Sequence, residues 1–546
     1  MLKTALLYIN TIKYLKASQI TNRVKRKFIK PKANLLKTPE LSYLSNAMQP
    51  TIQHSQRMYG NSSFKFLNKE ATLKNLKDWN SSGQDKLWLY NLHYFDDLNA
   101  IKSEERTIWH CDLIEKWIND NAIGYGNGWE PYPSSLRIIN WIKWFLLKND
   151  AKQNWLDSLS IQTEFLSQNI EYHILGNHLF SNSKALVFAG LFFTGKEADK
   201  WYQIGIDIVK KELSEQILFD GGNFELSPMY HSIFLEDLID LVNIHQAYNR
   251  SLPDNLERKI SKMLEWLKVM CHPDGEISFF NDSTLGVAPS FTNLFCYARR
   301  LNVSLENNNE LENSLVYFKE SGYFIVKKEN LFVIADVADI GPDYIPGHGH
   351  ADTLSFEVSL FGERVIVNSG ISTYNKELDR YKQRSTAAHS TIVINDQNSS
   401  EVWSSFRVAR RANVFNIKSV EDNNSIKFSA CHDGYKRLKG NITHCREWNV
   451  SRESIEIVDR VSGKGVHNVR SVIPLHPKVL LIDIKESFVN LEINNKRFKI
   501  SFEGKGSLQI LKSQYHPEFG LSVDNKHLVY DYNGTLPFKT LIRITW

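Results

Sequence analysis

The segment PGHGHADTLSFEVSLFGERVIVNSG, residues 346–370, combines two histidines and an aspartate with a strand-like apolar run. His348, His350 and Asp352 alternate along the chain, and alternate residues of an extended strand point to one face of a sheet. Imidazole serves both as a zinc ligand and as a general base near neutral pH. Three interpretations are open: a metal site, a pair of catalytic histidines, or a polar turn that leads into a buried strand.

A third histidine belongs to RSTAAHSTIVIND, which also has the pattern of a strand start. A neighbouring strand could carry His389 to the face shared by His348 and His350. Zinc needs three or four ligands, and the remaining candidate is Asn368, whose neutral amide is a poorer ligand than a carboxylate. By spacing alone, a zinc site at His350, Asn368 and His389 is no better supported than a cluster without metal.

Two segments of the first half place polar groups at predicted helix starts. GNHLFSNSKALVFAG puts Asn177 and His178 ahead of an apolar helix, where Asn is also a common capping residue without a catalytic role. DGGNFELSPMYHSIF is rich in polar and aromatic groups before another helix. Its glycines permit tight turns, so Glu225 and Tyr230 could project into a cleft.

Aromatic residues and an arginine lie close together in GNGWEPYPSSLRIINWIKW. Trp129 and Tyr132 could stack on sugar rings, and Arg137 could pair with a carboxylate. This combination suits an acidic sugar. The alternative is that these residues belong to an ordinary aromatic core.

The spacing of apolar residues divides the chain into two halves. Between about residues 85 and 300 they recur at i, i+3, i+4 and i+7, which predicts amphipathic helices packed in a ring or solenoid, at 133–148, 197–217, 232–248 and in LERKISKMLEWLKVM. Beyond about residue 315 the period is two, which predicts short strands of an antiparallel sandwich. We predict three regions: a basic leader with lead-in helices at 1–80, a helical domain at 81–312 and a sandwich domain at 313–546.

The first 39 residues contain ten Lys or Arg and no Asp or Glu, although the whole chain has a net charge of only +5. Such a basic, partly amphipathic leader could contact an anionic membrane surface or an acidic polymer. The alternative is a helix whose basic residues face solvent while its apolar residues pack on the protein: Leu6, Leu7, Ile9, Ile12 and Leu15. The basic residues lack interleaved stacking aromatics, so we expect no nucleic-acid partner.

Cysteine usage and hydropathy bear on the cellular compartment. The cysteines are odd in number and form no CxxC pair, which favours reduced thiols: Cys111, Cys271, Cys296, Cys431 and Cys445. No apolar run is long enough to predict a transmembrane helix, and the first apolar run is too short and interrupted for an export signal. We therefore expect a cytoplasmic rather than a periplasmic protein.

Four segments, in this order, resemble the heparinase II/III family of polysaccharide lyases: GNHLFSNSKALVFAG, GGNFELSPMYH, GHGHADTLSFEVSLFGERVIVNSG and RSTAAHSTIVIND. The resemblance covers most of the chain from about residue 80 onward. It implies an α+β multidomain fold, with an N-terminal incomplete (α/α) toroid followed by a C-terminal antiparallel β-sandwich. It also implies β-elimination on a uronic-acid polysaccharide, and hence an acidic polysaccharide or oligosaccharide as the substrate.

This elimination removes the C5 proton beside the uronate carboxylate and expels the C4-linked oxygen. The carboxylate must be neutralised, a base must reach C5, and an acid must protonate the leaving oxygen. The resemblance implies that Asn177 binds the carboxylate and that Tyr230 and His348 supply the base and the acid. A Tyr base needs electropositive neighbours to lower its pKa from about 10. The candidate substrate-binding residues are Trp129, Arg137, His178 and Glu225.

Some members of the family bind a structural zinc ion close to this histidine, and the resemblance assigns its ligands to His350, an Asp in a DSG turn, and His389. The Asp position holds Asn368 here, which removes a charged ligand. The three side chains could instead form a hydrogen-bonded cluster that supports His348.

Two other classes of protein stay open as hypotheses. A non-catalytic glycan-binding or assembly protein could retain the cleft, although Tyr230 and His348 are both present. A glycoside hydrolase needs two opposed carboxylates, for which Glu225 and Asp282 are the candidates. The products distinguish all three, because only a lyase makes an unsaturated sugar that absorbs in the ultraviolet.

Overall fold

The computed structural model describes residues 2–32, 37–148, 150–305, 314–422 and 425–546. Its first half is mainly helical: α1 (Leu2–Ile12), α2 (Ala17–Phe28), α3 (Lys86–Tyr94), α4 (Thr107–Asp120), α5 (Pro131–Lys148), α6 (Gln153–Ser167), α7 (Gly176–Phe192), α8 (Lys196–Gln216), α9 (Pro228–Ala247), α10 (Leu256–Met270) and α11 (Phe291–Arg300). The helices predicted from apolar spacing are confirmed as α5, α8, α9 and α10. A short helix, α12 (Leu378–Gln383), lies in the second half.

Helix α7 is the centre of the helical half. It packs against α5, α6, α8 and α9, and nearly all of its side chains are buried. In the second half of the helix, residues 185–192, this burial follows from the sequence, because a helical segment that is apolar on all sides must be covered on all sides. The helices form the incomplete toroid that the sequence predicted. Among the described residues, none of the helices has the length and apolar character needed to span a bilayer.

Strands dominate the second half: β4 (Ser314–Phe318), β5 (Tyr323–Lys328), β6 (Leu331–Asp336), β7 (Phe356–Leu360), β8 (Glu363–Ile366), β9 (Ile392–Ile394), β10 (Val402–Trp403), β11 (Arg407–Val408), β12 (Val414–Glu421), β13 (Ile426–His432), β14 (Thr443–Val450), β15 (Ser454–Ser462), β16 (Val466–Pro474), β17 (Leu480–Ile484), β18 (Phe488–Ile493), β19 (Lys496–Glu503), β20 (Ser507–Tyr515), β21 (Val523–Thr535) and β22 (Phe538–Thr545). The leader region also contains three short strands that the sequence did not predict, β1 (Met58–Gly60), β2 (Ser63–Phe66) and β3 (Lys69–Thr72).

Three large antiparallel sheets build the sandwich. An eight-stranded sheet has the order β12-β13-β14-β15-β22-β19-β18-β17, a four-stranded sheet the order β20-β21-β16-β9, and a five-stranded sheet the order β4-β5-β6-β7-β8. Strand β15 alternates buried and partly exposed residues, which is the pattern of a sheet with one face on a core. The predicted antiparallel sandwich is therefore confirmed.

The five-stranded sheet joins the two halves, because both of its faces are buried. In β5, Phe324 and Val326 pack into the core of the sandwich, whereas Tyr323 and Ile325 pack into the core of the helical half. This double burial explains why the strand reads as a continuous apolar run. It also fixes the helical half against the sandwich, and the loops at the end of this sheet reach the helices.

The predicted domain boundary at 312/313 falls within residues 306–313, which lie outside the described residues. On either side of this gap, α11 ends at Arg300 and β4 begins at Ser314.

One prediction about the cysteines is wrong. Cys431 on β13 and Cys445 on β14 form a disulfide bond. The two residues lie directly opposite each other in the antiparallel pairing of these strands. The sequence did not reveal the pair, because β-strand register and not sequence spacing brings the two sulfur atoms together. The cytoplasmic location, which depended partly on reduced thiols, stays a prediction.

The leader helices lie against the protein, but they do not bury all of their apolar residues. Leu7 and Leu15 are partly buried. Leu6, Ile9 and Ile12 have exposed fractions of 48%, 62% and 50%. The interpretation in which all five residues pack on the protein is therefore wrong for three of them.

Candidate active site

A cavity of about 840 Å³ lies between the helical half and the sandwich. Its lining comes from helices α3, α5, α7 and α9 on one side, and from the loops that precede β7 and follow β8 on the other. The predicted catalytic residues Asn177, Tyr230 and His348 all line this cavity. The fold therefore brings together side chains from three distant segments of the sequence.

Tyr230 lies in the first turn of α9, and the start of this helix is tightly defined. The Ser227 side chain caps the helix by accepting a hydrogen bond from the backbone N–H of Tyr230 at 3.2 Å. Pro228 occupies the first helical turn, where its missing N–H costs nothing. The Ser227 hydroxyl in turn donates to the carbonyl oxygen of Asp282 at 2.7 Å. The sequence SPMY thus fixes Tyr230 relative to the loop that carries Asp282.

The Tyr230 side chain contacts two residues of the sandwich half. Its ring lies against the ring of His348, with centroids 3.9 Å apart, and its hydroxyl is 3.0 Å from the hydroxyl of Tyr374. Burial, together with Tyr374 and the nearby Asp282 carboxylate, raises the pKa of Tyr230 well above its usual value near 10. Tyr230 is therefore a neutral phenol that can donate a proton.

His348 is oriented by a buried carboxylate. Its Nδ1 is 2.8 Å from Oδ2 of Asp282, so Nδ1 carries the proton and donates it to the carboxylate. The Nε2 atom is left with its lone pair on the cavity side, 3.6 Å from Oε2 of Glu225. The His348 side chain is 15% exposed, which leaves Nε2 accessible to a ligand. This arrangement makes Nε2 a candidate general base.

Asp282 is fully buried and has three partners. The Arg380 guanidinium donates to both carboxylate oxygens, at 2.5 and 2.7 Å, and Nε2 of His350 lies 2.8 Å from Oδ1. Burial alone would raise the pKa of Asp282, but Arg380 and the hydrogen bonds from His348 and His350 hold it well below its usual range. An ionised carboxylate held in this way is a positioning group. It is not available as the second carboxylate of a glycoside hydrolase.

Asn177 lies at the start of α7, where the backbone is unusual. Leu175 and Gly176 have φ values of 70° and 56°, in the left-handed region. The positive φ favours glycine at position 176, and a Cβ atom there would lie 2.8 Å from Oε1 of Glu225, so a larger residue would displace the Glu225 carboxyl. The N-cap position is Leu175, so Asn177 does not cap the helix. Within the described residues its side-chain amide has no hydrogen-bond partner, and it is available to a ligand.

Glu225 occupies the middle of this group. Its Oε2 atom is buried and has no hydrogen-bond partner among the described residues. Burial raises the pKa of the Glu225 carboxyl above its usual value, although His348 and the backbone N–H of Asn177 act in the opposite direction. The neutral form of this carboxyl can donate a hydrogen bond into the cavity.

A second cluster lies behind His348 and consists of His350, Asp352 and His389, all buried. Each offers one ligand atom, and these atoms lie within 4.8 Å of one another. The Nδ1 atom of His350 is 3.3 Å from Nε2 of His389. Burial lowers the pKa of His350 to about 4, so its imidazole is neutral, as a metal ligand must be. Two imidazoles and a carboxylate are ligand types that zinc accepts.

Asn368 contacts this cluster from the other side of His389. Its Oδ1 atom is 3.0 Å from Nδ1 of His389, the ring nitrogen opposite to the one that faces His350. The Nδ2 atom of Asn368 is buried without a partner among the described residues. Asp352, which follows His350 by two residues, thus offers the carboxylate that Asn368 lacks.

Two of the predicted substrate-binding residues, Arg137 and Trp129, lie away from the cavity. Arg137 is fully buried; it donates to Gln162 at 2.8 Å, and its guanidinium lies 3.8 Å from the Trp117 ring centroid. Trp129 is 4% exposed within the same aromatic core. Neither residue lines the cavity. His178 does line it, with its ring 4.4 Å from that of Tyr132 and its Nδ1 3.0 Å from Glu171.

Sequence reasoning did not find Tyr374, Arg380 and Phe406. The Arg380 guanidinium lies 4.9 Å from the Tyr374 ring centroid and 5.4 Å from that of Phe406, so the three form one wall beside His348. A weak signal was available. The segment ISTYNKELDRYKQRS is polar, has no strand period, and lies between two segments that resemble the family.

Two models of the heparinase II/III family match this chain. The model described as "Heparinase II/III N-terminus" matches residues 111–303, and "Heparinase II/III-like, C-terminal" matches residues 311–544. The crystal structure of heparinase III superposes with a TM-score of 0.71 and 19% sequence identity, over 86% of this chain and 79% of that one. Chondroitin AC lyase of Streptomyces coelicolor A3 superposes with a TM-score of 0.51 and 10% identity, over 91% of this chain and 77% of that one.

Two heparin-sulfate lyases are similar in sequence to part of this chain. A heparin-sulfate lyase of Bacteroides stercoris is 26% identical over 303 residues, which are 50% of this chain and 44% of that protein. A heparin-sulfate lyase of Pedobacter heparinus is 24% identical over 320 residues, 52% of this chain and 47% of that protein. The chain thus spans about half the length of these relatives. The matches of both family models, taken with the shared fold, show that this chain belongs to the heparinase II/III family.

Proposed function

We propose that this protein is a polysaccharide lyase that cleaves a uronic-acid-containing glycan by β-elimination. The observation that carries the proposal is the pairing of a neutral Tyr230 phenol with an Asp282-oriented His348 imidazole on the wall of one cavity. The heparin-sulfate lyases to which the chain is similar support the same class of reaction.

In the proposed mechanism, Nε2 of His348 removes the C5 proton. Asp282 accepts the hydrogen bond from Nδ1 and stabilises the imidazolium that forms. The C5–H electron pair forms the C4–C5 double bond, and the bond between C4 and its glycosidic oxygen breaks. Tyr230 donates its phenolic proton to that oxygen, a role that suits a group whose pKa is raised by burial. The two rings are in contact, so base and acid act from the same side of the sugar.

The uronate carboxylate must also lose its negative charge before C5 can be deprotonated. The side-chain amide of Asn177 and the neutral carboxyl of Glu225 are the two donors that we assign to it. Both lie next to the backbone turn at Gly176. Donors fixed in place before the reaction stabilise the enolate-like transition state without a reorganisation cost.

We propose His350, Asp352 and His389 as the ligands of a structural zinc ion, with Asn368 orienting His389. Such an ion would cross-link the segments behind His348 and place positive charge close to Asp282. The chain's own groups perform the chemical steps: His348 removes the proton and Tyr230 returns one.

The charged residues that line the cavity indicate how many sulfate groups a substrate can carry. Three basic residues of the lining with buried side chains already have carboxylate partners: Lys143 with Asp240 at 2.5 Å, Lys184 with Asp237 at 2.6 Å, and Arg411 with Asp343 at 2.5 Å. A sulfate bound at Lys143 or Lys184 would break a buried ion pair, whereas Arg23, Arg57 and Arg407 of the lining have no ion-pair partner among the described residues. We therefore infer a glycan with uronate carboxylates and few sulfates in the part of the cavity next to Lys143 and Lys184.

A screen of uronate polymers by ultraviolet absorbance tests the proposed activity. Formation of the unsaturated product by the native protein, and its loss in Tyr230→Phe, is the expected result. Reducing ends without absorbance would indicate a hydrolase. Binding without any product would indicate the non-catalytic alternative.

A further inference from the structure

Helices α1 and α2 each have two opposite faces, and only one of them touches the protein. The inward face carries residues at helical spacing that are buried or partly buried: Leu7, Thr11, Tyr14, Leu15, Gln19, Asn22 and Arg26. The outward face is also apolar, with exposed fractions of 48% for Leu6, 62% for Ile9, 50% for Ile12, 44% for Ile20, 52% for Val24 and 81% for Phe28. In α2, Ile20, Val24 and Phe28 follow each other at intervals of four and form a single stripe.

Specific contacts of the inward face hold the two helices in place. The hydroxyl of Thr11 is 3.2 Å from the carbonyl oxygen of Val408, and the Gln19 amide donates to the carbonyl oxygen of Tyr344 at 3.2 Å. Lys16 forms an ion pair with Glu215 at 2.5 Å. The outward apolar stripe therefore has a fixed direction relative to the rest of the molecule.

The charged side chains of the leader itself are all positive. Residues 1–39 contain ten Lys or Arg and no acidic residue. On α2, Lys25 and Lys27 are exposed and flank the stripe of Val24 and Phe28 on its two sides. Apolar side chains bordered by lysines are the composition of helices that lie in the surface of an anionic bilayer, with the apolar face in the acyl region and the basic groups on lipid phosphates.

We propose that the outward faces of α1 and α2 form a docking surface for an anionic lipid bilayer. The charge complementarity decides between this partner and a second copy of the chain, because two copies would bring the exposed lysines of two leaders together. The apolar stripe decides against a soluble acidic polymer, which would leave Phe28 and Val24 in water.

The helices that carry the docking surface also border the cavity. Thr11, Ile12, Leu15 and Arg23, all from the leader, also line the cavity that contains Tyr230 and His348. A molecule docked through α1 and α2 would hold the cavity close to the bilayer. A glycan attached to a lipid would then be presented to the site. This second step rests on the proposed lyase function, whereas the docking itself does not.

Vesicle co-sedimentation tests the docking without any glycan. The full chain is mixed with vesicles of phosphatidylcholine alone and with vesicles that contain phosphatidylglycerol as well. We expect about tenfold stronger binding to the anionic vesicles, and a decrease at high salt. Equal binding to both vesicle types, or no binding to either, would overturn the proposal.

Matched variants locate the surface. Phe28→Ser and the pair Lys25→Glu, Lys27→Glu should each weaken binding about tenfold. The controls are Phe219→Ser, at a phenylalanine that is 88% exposed, and Lys210→Glu with Lys211→Glu on α8. The controls should bind as the native protein does. If Phe28→Ser and Phe219→Ser bind equally well, the surface is not the one proposed.

Two further measurements distinguish a failure of the docking proposal from a failure of the proposed lyase function. Light scattering measures whether the native protein is a dimer and whether Phe28→Ser is a monomer. If Phe28→Ser converts a native dimer to a monomer, the surface binds a second copy of the chain, and the lipid assignment is overturned. Ultraviolet assays on a soluble uronate oligosaccharide should give the same rate for Phe28→Ser and native protein, because Phe28 does not line the cavity. A native protein that binds vesicles but makes no unsaturated product would contradict the lyase function and leave the docking intact.

Discussion

The ring of Tyr230 lies against the ring of His348, with centroids 3.9 Å apart and an angle of 32° between the planes. Tyr230 belongs to the helical half and His348 to the sandwich half, so the site exists only when the two halves are fixed together. The five-stranded sheet, buried in both cores, supplies this connection. The proton donor and the base are thus positioned by the packing between domains and by Asp282.

Replacing Tyr230 with Phe removes the proposed acid and keeps the ring that packs on His348. We expect formation of unsaturated product to fall by about a hundredfold or more, as for the loss of a general acid, with an unchanged circular dichroism spectrum. Tyr374→Phe is the matched control, since its hydroxyl is 3.0 Å from that of Tyr230 and has no proposed part in proton transfer. An equal loss of rate in Tyr230→Phe and Tyr374→Phe would contradict the assignment of Tyr230 alone as the acid.

Replacing His348 with Ala removes the proposed base. The rate should fall by about a hundredfold or more, and added imidazole should restore part of it because the His348 side chain borders the cavity. Imidazole should not restore Tyr230→Phe, in which the base is intact. A full rate in His348→Ala without imidazole would exclude His348 as the base.

Glu225 gives the site an expected pH dependence. Burial raises the pKa of this carboxyl, and the proposed role uses its neutral form. The rate should therefore fall as the pH rises through the raised pKa. Glu225→Gln keeps a neutral donor at every pH and should lose this alkaline decrease, whereas Glu225→Ala should be slow throughout. An alkaline decrease that persists unchanged in Glu225→Gln would assign it to another group.

The paired cations of the cavity lead to a prediction about the substrate. Rates on a uronate polymer without sulfate should exceed those on a highly sulfated polymer with the same backbone by about tenfold or more, which corresponds to a difference of at least about 1.4 kcal/mol. Competition between the two polymers in one reaction measures this ratio directly. A preference for the sulfated polymer would contradict the inference, and would point to Arg57 and Arg407 of the lining, which have no ion-pair partner in the described part of the chain, as sulfate ligands.

The sequence predicted those parts of the molecule that depend on local pattern. Apolar periods of 3.6 and 2 revealed the helices and strands, and motif resemblance pointed to Asn177, Tyr230 and His348, which the structure brings to one cavity. Arg137 shows the limit of such reasoning. Its position on α5 looks suitable for a sugar carboxylate, but the side chain is buried beside Gln162 and Trp117.

Contacts between distant segments could not be predicted, because they depend on tertiary packing and not on local sequence pattern. Cys431 and Cys445 are joined because β13 and β14 pair in one particular register. Arg380 reaches Asp282 across 98 residues of sequence, and neither residue type nor local spacing shows such a contact. Asp352 was noticed beside His350, but its place in the cluster with His389 depends on tertiary packing.

The central claim is that Tyr230 and His348 cleave a uronate glycan by elimination. The most direct test is to treat a defined uronate oligosaccharide with the native protein and with Tyr230→Phe, and to weigh the products by mass spectrometry. The account predicts native products whose masses add up to that of the substrate, with a C4–C5 double bond in the new non-reducing sugar, and almost no product from the variant. Products heavier in sum by one water molecule, or equal cleavage by Tyr230→Phe, would contradict it.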